Sequence, residues 1–159
     1  MNTESRSISP LTIISLVVAV VALVLAGWTL YRSEYSETEY SADQIAAAES
    51  KACTAVDVVR RGVSLNTNLM PAGGPADVTG AQAVAANARV SLYDGGQYLI
   101  ARLDPATPDL LAEKARDFAN NLMDIGANAT AGVPNSDSAQ TERLNTADRT
   151  STALTELCK

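Results

Sequence analysis

Asp109–Ile125 reads DLLAEKARDFANNLMDI, with apolar residues at Leu111, Ala115, Phe118, Leu122 and Ile125. That alternation of four- and three-residue steps places all five on one face of a helix, with Lys114, Arg116, Asp117 and Asn121 off it. A helix of this kind has one stripe to bury and needs partners of the same kind. Thr107-Pro108-Asp109 reads as its start, with Thr107 as N-cap, Pro108 at the first helical position and Asp109 in the first turn. The segment from Gly126 to Pro134 closes it.

Working outward from this helix, the same period recurs three times. Asp43 to Leu65 carries Ile45, Ala52, Val56, Val59 and Val63 on one face, and Gly73-Gly74-Pro75 lies in the stretch that ends it. Asp77 to Leu103 carries Ala81, Val84, Ala88, Leu92 and Leu99, with Gly95-Gly96 predicting a kink or short break. Ser136 is the expected cap of a last helix to about Leu157, carried by Leu144, Ala147, Leu154 and Leu157. The expected fold is therefore all-α, an up-down-up-down bundle of about four helices over residues 44–159. In that topology the start of the first helix and the end of the last share one end of the bundle. Cys53 and Cys158 are the two cysteines of the chain, and they are expected to form one disulfide between those helices. The alternative is two free thiols in a reducing compartment.

Ahead of the bundle, Leu11–Leu30 reads LTIISLVVAVVALVLAGWTL without a charge. About 20 such residues cross a hydrocarbon core of roughly 30 Å. Residues 11–31 are thus expected to be a transmembrane signal-anchor, with Trp28 and Tyr31 at the headgroup level. A cleaved signal peptide is the competing reading, with Val24-Leu25-Ala26 as cleavage site, but the run outlasts an h-region of roughly 7–15 residues. A lipoprotein is excluded, because Trp28 stands where Leu25-Ala26-Gly27 would require a cysteine. Ala19, Ala22, Ala26 and Gly27 offer a small-residue face for helix packing in lipid. Residues 1–10 form the tail and 32–43 an acidic stalk. Arg6 and Arg32 leave the positive-inside rule nearly balanced, so the disulfide sets the orientation: tail cytoplasmic, bundle extracytoplasmic.

Composition narrows the chemistry. The chain of 159 residues has a formal charge of −6, which offers no electrostatic footprint for nucleic acid. It contains no histidine, so no Ser-His-Asp or Cys-His arrangement and no imidazole metal site can form. No phosphate-binding glycine motif is present. The pairs Glu37/Glu39 and Asp104/Asp109 read as solvated charges, and Arg60-Arg61 as a polar helix face. No catalytic residue, cofactor or metal site is expected, and the chain does not read as an enzyme.

Ala46–Asn68 reads AAAESKACTAVDVVRRGVSLNTN, and Cys158-Lys159 ends the chain. With the Lys51–Asn68 pattern K-x-C-x-A-x-x…V-S-L-x-T-N behind a single span, the sequence resembles a group of small alanine-rich membrane proteins of mycobacteria and related actinobacteria. The resemblance implies an accessory subunit of a larger envelope complex, Mce-type lipid transporters among them, and carries no catalytic residue with it. Two functions are therefore expected: a structural subunit held in the bilayer beside a membrane complex, or a free-standing anchored module that binds a lipid or small molecule. In the second case small side chains and the Gly95-Gly96 kink would leave the cavity.

Overall fold

The computed structural model describes residues 10–35 and 39–159, without the side chains of 10–13 and 30–35. The chain divides into two units between Glu39 and Tyr40. The first contains helix α1, Pro10–Tyr35. The second contains α2 (Ala42–Thr67), α3 (Val78–Ile100), α4 (Asp109–Thr130) and α5 (Ser138–Leu157). The expected tail, with Arg6, lies outside the described residues apart from Pro10, as does Glu37 of the stalk.

Helix α1 continues past residue 31 into the stalk as far as Tyr35. Every side chain described on it, over 14–29, is exposed. Among the described residues no helix is long and apolar enough to cross a membrane, so the span expected over 11–31 is not supported by them. The side chains described cover about 24 Å of helix at ~1.5 Å per residue, short of a core of roughly 30 Å.

The second unit is an antiparallel four-helix bundle. Helix α2 begins at a capping box that the sequence reading passed over: Ser41 accepts from the Gln44 N–H, and the Gln44 side chain accepts from the Ser41 N–H. Helix α3 begins at Asp77, whose carboxylate accepts from the Gly80 N–H at 2.8 Å and the Gly73 N–H at 3.2 Å. Helix α4 departs from expectation. Pro108 takes the N-cap position with no side-chain cap. Thr107 is buried and accepts from the Asp104 N–H at 3.1 Å, so it closes the preceding turn instead. Helix α4 runs through Gly126 to Thr130, and the chain turns at Gly132, where φ is +88°, a value that favours glycine. Asp137 rather than Ser136 caps α5, accepting from Ala139 and Gln140 N–H groups at 3.0 Å each.

Cross-helix contacts fix the up-down order. Lys51 near the start of α2 lies 3.7 Å from Asp104 just past the end of α3. Asn121 of α4 donates to the Arg143 carbonyl of α5 at 2.7 Å, and Gln140 donates back to the Ile125 carbonyl at 3.1 Å. The expected α4 stripe, Leu111, Ala115, Phe118, Leu122 and Ile125, is buried in full and forms the centre of the core with Val56, Val59, Leu99 and Leu154. Ile45, expected on the core face, is exposed.

Gly95-Gly96 does not break α3, which is one helix throughout. These residues serve close packing. A Cβ on Gly96 would lie 2.5 Å from the Ala119 carbonyl oxygen and from Met123 Cγ, and one on Gly126 would lie 3.2 Å from the Arg89 carbonyl. Each glycine admits the backbone of the neighbouring helix, so α3 and α4 form the most closely joined pair.

Candidate functional site

Helices α2 and α5 are chain neighbours only through the tertiary fold, and their seam is the least packed in the bundle. Two links hold it. The Cys53–Cys158 disulfide joins Cα atoms 5.5 Å apart across 105 residues. About two turns further along both helices, Arg60 Nε donates to Ser151 Oγ at 2.8 Å. Beyond that bond the seam opens.

The opening leads into a cavity of about 650 Å³ at the end of the bundle remote from Tyr40. Val63 and Thr67 line it from α2, Val84, Ala85 and Ala88 from α3, Leu122 and Ile125 from α4, and Leu144 and Ala147 from α5. A smaller cleft of about 310 Å³ shares Val63, Thr67, Leu122, Ala147 and Asp148 with it and reaches Arg60 and Ser151. The cause is volume. The first half of α3 presents alanines and one valine where α2 and α5 diverge, and these side chains are too small to fill the gap. Val63, Val84, Ala88 and Leu144, all expected in the core, are consequently only half-buried, and Ala81 is exposed. A cavity of this size, walled by aliphatic side chains with several polar groups among them, has the character of a small-molecule site.

The polar groups of the wall divide into two kinds. Asn66 gives one amide N–H to the Gly62 carbonyl and Thr67 its hydroxyl to the Val63 carbonyl, both at 2.8 Å and both within α2. Arg60 is different: it is half-buried, its Nε is used by a neutral hydroxyl, and it makes no ion pair among the described residues. Its neighbour Arg61 is exposed and pairs with Asp57 at 2.9 Å, so the basic pair read as one polar face does two separate things. Asp148 and Arg89, also on the wall, are exposed. No buried side-chain nitrogen or oxygen among the described residues lacks a hydrogen-bond partner. No group of three His, Cys, Asp or Glu among them could hold a metal ion.

The remaining sequence-predicted residues are described each within its own unit. Trp28, Ala19, Ala22 and Ala26 are exposed on α1, and Gly27 has open space beside it. The side chain of Tyr31 lies outside the described residues. Asp104 is engaged by Lys51 and by the Ala106 N–H, and is not brought into a pair with Asp109. Sequence reasoning passed over Arg60 as an anchor of the seam, because nothing in its local pattern distinguishes it from Arg61. No protein family, curated protein or solved structure matches this chain.

Proposed function

We propose that this chain is a non-enzymatic, membrane-anchored extracytoplasmic module that binds a small apolar or amphipathic molecule between its helices. One observation carries the reading: the cavity of about 650 Å³ at the open end of the bundle, walled by residues whose pattern calls for full burial. The anchor rests on the uncharged run from Leu11 to Leu30. Its helix is apolar all round and exposed over 14–29, and such a surface is favourable only against lipid or another protein. A disulfide persists in an oxidising compartment, which supports an exported bundle and a cytoplasmic tail.

A second reading, an accessory subunit of an envelope complex such as an Mce-type lipid transporter, is favoured by a different surface. Val58 and Leu65 share the outer face of α2 at helical spacing, on either side of Gly62, and both they and Leu69 just past the end of the helix are exposed. The resemblance of Lys51–Asn68 to mycobacterial membrane proteins supports the same reading. Gentle extraction of a C-terminally tagged full chain from its own membrane separates the two. Lipid-sized molecules retained at near-unit occupancy, without another polypeptide, are expected for the binding module. A stoichiometric membrane complex with an empty bundle would overturn it in favour of the subunit. Resistance of the chain to alkaline carbonate extraction tests the anchor independently.

A further inference from the structure

We infer that the cavity takes a single-chain amphiphile with an anionic head, its alkyl tail between α3, α4 and α5 and its head against Arg60. This rests on the binding reading above and adds the ligand's polarity and direction.

The site has two chemically different ends. Around Ala85, Ala88, Leu122, Ile125 and Leu144 its wall is apolar, and the charged and amide side chains that also line it, Arg89, Asn135 and Asp148, are exposed. Toward the disulfide it narrows into the cleft that ends on Arg60 and Ser151. There a half-buried guanidinium gives one N–H to a hydroxyl and makes no ion pair among the described residues, although Asp148 lines the same cleft. Arg61 and Arg149 each have an acidic partner, whereas Arg60, Arg89, Arg102, Arg116 and Arg143 make no ion pair among the described residues. Of the two arginines that line the cavity and its cleft, Arg89 is exposed and Arg60 half-buried. A planar guanidinium with free Nη donors in a partly desolvated cleft is suited to bidentate capture of a carboxylate or phosphate. From Arg60 to Thr67 the seam is about 10 Å long at ~1.5 Å per residue, and the wider cavity extends past Thr67 to Pro71 and Val133. That elongated shape, with a half-buried guanidinium at its narrow end, matches a head on one chain better than a compact polar molecule.

The test uses the full chain in lipid nanodiscs and three photoreactive probes with the same diazirine-bearing sixteen-carbon chain: a carboxylate, a phosphate monoester and a neutral alcohol. Crosslinked residues are mapped by mass spectrometry. The expected result is labelling on α3 and α5 around Ala85, Ala88 and Leu144 by an anionic probe, about tenfold above the alcohol. Arg60→Gln should remove that preference and Arg60→Lys should restore most of it, with the disulfide intact in both variants on a non-reducing gel. Whichever of carboxylate and phosphate labels more identifies the source as a fatty acid or a phospholipid product. Equal labelling by all three probes, unchanged in Arg60→Gln, would overturn the anionic head while leaving the cavity as a binding site. Labelling confined to α1, with none on the cavity wall, would overturn both.

Discussion

At the scale of single residues, Gly96 and Gly62 make opposite demands. A methyl group on Gly96 meets the α4 backbone, so Gly96→Ala must push α3 and α4 apart and is expected to cost about 2 kcal/mol in denaturant unfolding. Gly62 sits mid-helix with open space around it, so Gly62→Ala is expected to stabilise by about 0.5–1 kcal/mol through helix propensity alone. A cost at Gly62 would mean that the outer face of α2 is occupied in solution. Glu142 provides a pH signature of its own. A hydrogen bond from Arg149, reinforced by its charge, holds the Glu142 carboxyl below its usual pKa of 4.5. The folded value lies below the unfolded one, so the pair's contribution is present above pH 4.5 and is lost as pH falls through the lowered value. Both side chains are well exposed and screened, so Glu142→Gln is expected to leave Tm at neutral pH unchanged and to flatten only the acid limb of the stability profile.

At the scale of elements, the bundle depends on how α5 is held to α2. Few contacts join them, and the disulfide closes a loop of 105 residues. Reduction, or Cys158→Ser, is therefore expected to cost about 4–5 kcal/mol in the chain-entropy view, and to raise hydrogen exchange along α5 before α3 and α4. Uniform loss of protection across all four helices would show instead that α5 is held by packing alone. Much of this architecture was legible in the chain, and unevenly so. The α4 stripe from Leu111 to Ile125 told the truth because an amphipathic helix at the centre of a bundle buries its whole face. The two cysteines told the truth because antiparallel order brings their helices together. Gly95-Gly96 misled, since local propensity treats glycine as a weakness whereas here it admits a neighbouring backbone. Thr107 misled because the turn at Asp104 competes with the helix for its hydroxyl. The cavity was beyond a one-dimensional pattern. Val63, Val84, Ala88 and Leu144 keep a core-like period, and only the summed volume of four helices shows that nothing fills the space between them.

For the whole molecule, one end of the bundle is stapled and the other is open. The cost of the open end is incomplete burial of apolar wall residues, which a ligand would offset by occupying the space. Filling it with a side chain should do the same. Ala88→Phe is expected to leave the free protein as stable as before or up to about 1 kcal/mol more so, while excluding the ligand. A substitution that destabilised strongly would mean the site is already closed by packing. The most direct test is native mass spectrometry of the full chain isolated from the cells that make it, comparing the unmodified protein with Ala88→Phe. We expect a discrete added mass in the lipid range on the unmodified chain, with the added mass absent from Ala88→Phe. Bare chains in both, or the same added mass on both, would contradict a binding role for the cavity.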